Sequence, residues 1–411
     1  MSLEIYFLIV GIIILVTEIT VFSIVSSINK KFQWLILERD ERPKITNEIL
    51  KKFLPHGYDK ELGWIRKPNT EHKELGKYGE VKWTINDEGA RTNPKFESIN
   101  SSISCYGDSF AFCRQVNDED TWEHYLSELL KTNVQNFGVG NYGLDQALLR
   151  LKREFENNPT EKVMIGVVPD TISRILSVWK HYSEYGNTLG FKPRFRLNNG
   201  KLEILHNPID NEEKFLEYEK YLNFIQSNDY FYEEKFKKEK ISFPYSLTIL
   251  RNWKRNFEII KWVSKISKME KNGIDTKNIS WKPMSIIMKK NLEWRIKLFK
   301  EKNNLELVKK ILENYVEFSK EKKFIPIFFF LPQKDDILFI QNNYNFYENM
   351  IKEIMKIDEL IFLNITKQLL HQENLDELYS DENEYGGHYS KEGNKKIAEL
   401  IFNELEKERI I

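Results

Sequence analysis

The sequence predicts an α/β fold, a doubly wound parallel sheet interrupted by a large helical insertion and preceded by a transmembrane helix. Three observations carry this prediction. Short apolar runs alternate with helical patterns, a long charged stretch in mid-chain breaks the alternation, and residues 5–25 are almost wholly apolar.

The apolar stretch is the first element. At 1.5 Å per residue it is long enough to cross about 30 Å of hydrocarbon. Residues 1–28 contain no Lys or Arg and no clear small-residue cleavage site, so an uncleaved single-pass anchor is expected rather than a signal peptide. Glu18 interrupts the run. A carboxyl at that depth costs a few kcal/mol unless it lies near an interface, is protonated or meets a partner. A lone helix with a neutral or snorkelling Glu18 and a helix with a membrane-protein partner both stay open. Lys30, Lys31, Arg39 and Arg42 follow, and the positive-inside bias would keep that side cytoplasmic, although Glu38, Asp40 and Glu41 lie among them.

The strands come next. Residues 102–106, 133–136, 162–168, 324–331 and 360–365 are short apolar runs of the kind that buried parallel strands show. Helical spacing joins Trp122, Tyr125, Leu126, Leu129 and Leu130, then Ala147, Leu148, Leu151 and Phe155, and finally Ile397, Ala398, Ile401, Phe402 and Leu405. The organisation expected is an anchor over 1–28, a linker and N-terminal extension over 29–98, an α/β domain over 99–180 and 321–411, and an insertion over 181–320. Inside the insertion, residues 195–205 around Asn199-Gly200 read as a β-hairpin. Residues 235–271 hold 11 Lys or Arg against 3 Glu, with Leu250, Trp253, Phe257, Ile260 and Val263 on one helical face. Such a helix either packs on its own domain, lies on an anionic membrane or lines a groove for an acidic glycan.

Composition removes several functions. The chain of 411 residues is 41% hydrophobic and 30% charged, as expected of a globular protein with a large core. Its 62 basic residues balance 62 acidic ones, so the surplus of positive charge that nucleic-acid binding needs is missing. Cys105 and Cys113 are the only cysteines, too few for a disulfide framework. None of the 7 histidines forms an HxH or HExxH pair, so no metal and no other cofactor is expected.

The chemistry begins at the end of the first strand. Tyr106-Gly107-Asp108-Ser109-Phe110 follows an apolar run, and ligands bind at the carboxyl ends of strands in open α/β sheets. A helix is expected directly after Ser109, its unpaired N–H groups available to an oxyanion. After the second strand, residues 136–143 (NFGVGNYG) form a glycine-dense loop whose backbone can approach a ligand closely. Before the last helix, Gly386-Gly387-His388-Tyr389-Ser390 carries the one histidine placed on a loop able to reach back to Ser109.

Together these segments resemble the SGNH, or GDSL-type, serine hydrolases, over roughly residues 100–175 and 324–408. The strings YGDSFAF, VNDEDTW, NFGVGNYGLDQALLRLK and GGHYSKEGN resemble the membrane-anchored SGNH proteins linked to surface polysaccharides. The resemblance implies a flavodoxin-like three-layer fold, with Ser109 as nucleophile and His388 as general base. It also implies an oxyanion hole of backbone N–H groups from Ser109 and from the glycine loop at Gly140 and Asn141, with Asp108 in a structural role. Two positions depart from the family pattern. Tyr385 stands where an Asp would orient the histidine, leaving Asp381 as the preferred orienter among Asp381, Glu382 and Glu384. After the third strand, Val167-Val168-Pro169-Asp170-Thr171 lacks the usual asparagine donor, a group worth about 3 kcal/mol of transition-state stabilisation. Asp170 and Arg174 are candidate substrate contacts, Arg174 as an anion binder or replacement donor, unless the two only pair with each other. Trp179, His181 and Tyr182 are candidate sugar-stacking groups, or ordinary rim aromatics.

The function expected from the resemblance is a membrane-anchored esterase removing acyl groups, acetyl foremost, from a carbohydrate. A carbohydrate O-acyltransferase of the alginate-acetylation type and a non-catalytic glycan-binding or assembly subunit stay open. The expected partners are an acylated carbohydrate and the membrane, with no nucleic acid. A surface polysaccharide as substrate would put the domain outside the cytoplasmic membrane.

Overall fold

Five strands, β1 (Ser101–Gly107), β2 (Asn133–Asn136), β3 (Lys162–Val167), β4 (Ile325–Phe330) and β5 (Ile361–Leu363), form one parallel sheet in the order β2-β1-β3-β4-β5. They are the five apolar runs. This is the flavodoxin-like order, in which the direction of winding switches between β1 and β3 and opens a crevice at the strands' carboxyl ends. The computed structural model describes residues 2–372, 374–381, 385 and 387–411. β1 pairs with β3 from Ile103↔Lys162 to Gly107↔Gly166, and β3 with β4 from Lys162↔Ile325 to Val167↔Phe330, so the three central strands end level with one another.

Alternation along each strand makes the two faces. Ile103, Cys105, Val134, Met164, Ile327 and Phe329 pack with Trp122 and Leu126 of the helix Trp122–Leu130 and with Ile397 and Ile401 of the helix Lys391–Lys407. The opposite face meets the helices Leu144–Glu154 and Lys302–Lys322; Tyr315 of the latter donates its hydroxyl to the Val163 carbonyl at 2.8 Å. Helix, sheet and helix are the three layers. Each fully buried large apolar side chain in them contributes about 1.5–3 kcal/mol.

The chain divides into two units. The sheet belongs to a unit formed by Asn47–Val178, Phe191–Lys214 and Leu292–Ile411. This unit also holds the antiparallel hairpin Thr70–Gly76 and Gly79–Ile85, and the hairpin Arg194–Asn198 and Lys201–Leu205 expected around Asn199-Gly200. Beyond β3 and β4, Arg295 is buried with Nη1 2.6 Å from Asp336, Nη2 2.8 Å from Asp335 and Nε 3.7 Å from Asp170.

The other unit is formed by Met1–Thr46, Trp179–Gly190 and Phe215–Asn291. Its helix Leu3–Asn29 has a mean hydropathy of 2.7 and is long and apolar enough to cross a membrane. The far end of that helix is packed: Val25 and Ile28 join Leu35, Leu37, Ile241, Ile249, Ile259 and Val263 in a core. Within this unit the helix Trp253–Lys271 buries Ile259 and Val263 yet leaves Trp253 and Phe257 outside, so it has two apolar faces where the sequence suggested one. Glu18 has partners in its own chain: its carboxylate accepts from the N–H groups of Tyr245 and Ser246 and from the Ser246 hydroxyl. Neither open reading of Glu18, a lone helix or a separate membrane partner, had this arrangement.

Replacing Arg295 by Met would strand two buried carboxylates without a counter-charge. Such a loss costs about 3–5 kcal/mol, so Arg295→Met is expected to lower the thermal unfolding temperature by several degrees. An unchanged melting curve would show that the cluster contributes nothing to stability.

Candidate active site

The site is built where β1 ends. A Cβ on Gly107 would lie 1.9 Å from the Gly166 carbonyl oxygen on β3, so only glycine lets the two strands finish side by side. The next residue, Asp108, is fully buried. Its Oδ1 accepts from the Phe110 N–H at 2.8 Å, and its Oδ2 from the Val168 N–H at 2.8 Å and Arg174 Nη1 at 3.0 Å. These bonds tie the turn to the end of β3 and present Ser109 at the carboxyl end of the sheet.

No helix follows Ser109; residues 109–115 are consecutive turns. The cause is Arg91. Its buried guanidinium donates to the carbonyls of Phe112 (2.6 Å), Cys113 (2.7 Å) and Val116 (2.6 Å) and pairs with Asp118 at 2.8 Å. A helix would use those carbonyls for its own N–H groups. Instead they converge on one cation, and Cys113 and Gln115 adopt left-handed φ angles of 58° and 71°.

His388 reaches Ser109 from the loop before the last helix, with Nε2 2.8 Å from Oγ. Behind the ring, Nδ1 is 3.2 Å from Oε1 of Gln115. That oxygen also accepts from Ser380 Oγ at 2.6 Å and from the His388 N–H at 3.3 Å, while Ser380 Oγ accepts from the same N–H at 3.0 Å. The Ser380 hydroxyl and the His388 N–H both donate to it, which assigns the amide oxygen to this position, so Nδ1 facing it carries the proton and Nε2 turns its lone pair to the serine. The group behind the imidazole is thus a neutral amide.

Asp381, the expected orienter, does not occupy that place. Tyr379 bridges antiparallel to Tyr389, and the Ser380 N–H donates to the His388 carbonyl at 2.7 Å, so this pairing sets Ser380 beside the imidazole. The Asp381 carbonyl accepts from Lys334 Nζ at 3.1 Å, and its Cβ lies 2.6 Å from where a Cβ on Gly387 would be. Glu382, Glu384 and Gly386 lie outside the described residues.

Gln115 is held by the N-terminal extension. Its N–H donates to Oε1 of Glu74 at 2.8 Å, and Arg114 donates to Oε2 of the same carboxylate at 3.0 and 2.8 Å. Gly76 makes room, since a Cβ there would lie 2.5 Å from the Gln115 carbonyl oxygen. Withdrawal from water lowers the pKa of His388 to about 3, with Arg114 and Arg174 pushing the same way and Glu74 only partly opposing them.

The glycine loop closes the other side. Asn136 shapes it, accepting from the Gly138 N–H at 2.9 Å and donating to the Ala111 carbonyl at 2.8 Å. Trp64 donates its indole N–H to the Gly140 carbonyl at 2.9 Å. A side chain on Gly140 would point at Ser109, its Cβ 4.0 Å from the serine Cβ. Asn141 has a left-handed φ of 68°. Among the described residues, the backbone N–H groups of Ser109, Gly140 and Asn141 donate to no acceptor in the protein.

The remaining candidates lie elsewhere. Arg174 is engaged by Asp108 and by the Tyr142 carbonyl at 3.0 Å, with Nε 3.4 Å from Asp170, so it braces the serine turn and the glycine loop. Asp170 faces Arg174 and Arg295. Trp179 is fully buried against His181, Tyr182 and Tyr218, with no face for a sugar, because all four belong to the core of the other unit. Among the described residues no cluster of three His, Cys, Asp or Glu is arranged to hold a metal ion. Gln115, Glu74, Ser380 and Arg91 were not singled out in the sequence. Gln115 lies in an unpatterned string (CRQVND), and Glu74 falls in a segment read as linker.

No protein-family model matches the chain, and no curated protein matches it. Among solved structures it is similar to a protein described as a lipolytic member of the G-D-S-L family from Desulfitobacterium hafniense DCB-2, with 15% identity over 74% of this chain and 100% of that one and a TM-score of 0.33. It is also similar to a lipase/acylhydrolase from Enterococcus faecalis, with 11% identity over 75% and 96% and a TM-score of 0.34. The fold is defined here by the strand order of the sheet itself.

A base that works in its neutral form, with its pKa lowered to about 3, stays competent as the solution is acidified. Any turnover that depends on His388 is therefore expected to hold steady from pH 8 down to about 5. Gln115→Glu would place a carboxylate behind the ring, raise the imidazole pKa and bring an acid limb up into the measured range. An acid limb near 6.5 in the unmodified chain would contradict the lowered pKa.

Proposed function

We propose that the chain is a membrane-anchored serine esterase that removes acyl groups, O-acetyl foremost, from a carbohydrate. The observation that carries this is the bond of 2.8 Å between Ser109 Oγ and His388 Nε2, with Nδ1 held by Gln115. In this reading Nε2 takes the hydroxyl proton as Oγ attacks the ester carbonyl carbon, and the carbonyl oxygen becomes an oxyanion facing the N–H groups of Ser109, Gly140 and Asn141. The oxyanion then collapses, the bond from the carbonyl carbon to the sugar oxygen breaks, and the imidazolium gives its proton to that oxygen, leaving an acyl-serine. Water, deprotonated by the same nitrogen, releases the acid from the acyl-serine.

Gln115 changes the energetics of this cycle without changing its order. An amide oxygen fixes the productive tautomer, which a carboxylate would also do, but it supplies no charge to balance the imidazolium. The resulting enzyme is slow on simple esters. Hydrolysis is favoured over transfer because a transferase outside the membrane would need a partner to supply its acyl group, and Glu18, which left a membrane-protein partner open, is already bonded to Tyr245 and Ser246. The carbohydrate and the polysaccharide context rest on the resemblance of the motif strings. The apolar helix Leu3–Asn29 is the anchor in this reading.

Purified full-length chain is expected to hydrolyse aryl acetates and to be labelled by a fluorophosphonate on Ser109. Ser109→Ala and His388→Ala should each reduce turnover at least about a thousandfold, whereas Asp381→Asn should change it less than Gln115→Ala does. Retained turnover in Ser109→Ala would overturn the serine mechanism.

A further inference from the structure

We propose that Arg66 forms an anion subsite beside Ser109, so that the ester hydrolysed is carried by an acidic sugar whose carboxylate or phosphate lies against the Arg66 guanidinium. The inference rests on the serine-esterase reading and adds the substrate's charge to it.

Of the arginines around the site, Arg114 is paired with Glu74 and Arg174 with Asp108, at 2.8 and 3.0 Å. Arg91 is paired with Asp118. Arg66 is different: among the described residues no carboxylate or carbonyl lies within bonding distance of it. Its guanidinium stacks instead on the rings of Trp83 and Phe112, 4.4 and 4.9 Å from their centroids, which leaves the in-plane N–H fork unspent. Burial and the neighbouring Arg114 bring its pKa down to about 10, so it stays charged at neutral pH. Arg66 Nη2 lies 3.9 Å, and Ser109 Cβ 4.0 Å, from the point a side chain on Gly140 would occupy. The cation and the nucleophile therefore flank the same bare Cα. Planar, half-buried and stacked, such a fork matches a carboxylate or phosphate in two parallel hydrogen bonds. The same anion would also oppose the cations that disfavour protonated His388.

The test separates binding from turnover. Ser109→Ala, which cannot form the acyl-enzyme, is titrated calorimetrically with digalacturonate, galactose 6-phosphate and digalactose. At least one anion is expected to bind about tenfold or more tighter than digalactose. That preference should vanish in Ser109→Ala/Arg66→Gln and survive in part in Ser109→Ala/Arg66→Lys, with unchanged melting of each variant as the check on folding. The arm that responds tells carboxylate from phosphate. Equal binding of charged and neutral ligands, no measurable binding of either anion, or a preference that persists without Arg66 overturns the subsite. Failure of the unmodified chain to cleave any ester would overturn the esterase reading while leaving this binding result standing.

A separate observation concerns the unit that carries the apolar helix. We infer that the helix Tyr245–Arg251 and the start of Trp253–Lys271 are immersed in the membrane edge beside the anchor. Glu18 is the first residue of Leu3–Asn29 to be buried in the fold, so residues 3–17 run alone. At 1.5 Å per residue they span about 22 Å, short of the roughly 30 Å that hydrocarbon requires. The missing depth corresponds to the level of Phe22, whose ring is 4.9 Å from that of Tyr245. At that level the unit shows Phe243, Leu247, Leu250, Trp253 and Phe257 to the outside, from 49% to 69% exposed, with Arg251, Lys254 and Lys261 nearby for anionic headgroups. Glu18 is then a helix-capping carboxylate on a segment that enters the lipid with it.

Nitroxides at Leu247→Cys, Ile13→Cys and Glu270→Cys, in full-length chain reconstituted into phosphatidylcholine and phosphatidylglycerol vesicles, read this by power saturation. Residue 247 is expected to share the oxygen-rich, nickel-poor environment of residue 13, and residue 270 to be accessible to aqueous nickel. A label at 247 with the aqueous signature of 270 overturns the immersed helix. An aqueous signature at residue 13 overturns the anchor itself and the immersed helix with it.

Discussion

The Arg91 guanidinium gathers three carbonyls and one carboxylate from residues 112–118, and the course of the chain after Ser109 follows from it. Carbonyls that would otherwise extend a helix after Ser109 are turned inward to a single buried cation. The chain between β1 and the helix Trp122–Leu130 is thereby forced through two left-handed residues, and the second of them is Gln115. Gln115 then has its backbone N–H fixed by Glu74 and its side chain under the imidazole. Removing the guanidinium would leave buried carbonyls unpaired as well as freeing the loop.

Electrostatics distinguishes this site from an Asp-oriented one. A carboxylate behind the histidine does two things at once, selecting the tautomer and balancing the imidazolium. Gln115 does only the first. The amide is committed to that role because Ser380 and the His388 backbone hold its oxygen toward Nδ1. The surrounding charges compound the difference: Arg114 and Arg174 lie close enough to depress the imidazole pKa, and the carboxylates of Glu74 and Asp108 are already engaged by them. The histidine is consequently well placed to accept a proton and poorly compensated once it has done so.

The apolar helix solves a related problem. A carboxylate within so apolar a stretch needs hydrogen-bond donors of its own. The first turn of the helix Tyr245–Arg251 provides backbone N–H groups with no intrahelical acceptor, together with a serine hydroxyl, and these satisfy the Glu18 carboxylate. The same contact fixes where the helix Leu3–Asn29 stops being free and becomes part of a folded unit.

By itself the sequence determined the elements whose pattern is local. The five apolar runs, the helices with Leu148 and Ile401 on their buried faces, the hairpin at Asn199-Gly200 and the apolar helix all follow from periodicity and turn chemistry within a few residues. It also brought forward Ser109, the glycine loop and His388, because each lies on a short string with its own signature. The tertiary structure decided everything that depends on side chains distant in sequence. The partner of His388 is 273 residues away and the partners of Glu18 lie beyond position 244, while the turns after Ser109 are imposed by Arg91 from outside the segment. No local pattern distinguishes Gln115 from any other surface glutamine, and Asp381 was the better choice on sequence because only the Tyr379–Tyr389 pairing puts Ser380 beside the ring. Propensity acts over a turn or a pleat, whereas a polar group selects its partner by proximity in three dimensions, and that proximity exists only after the core has closed.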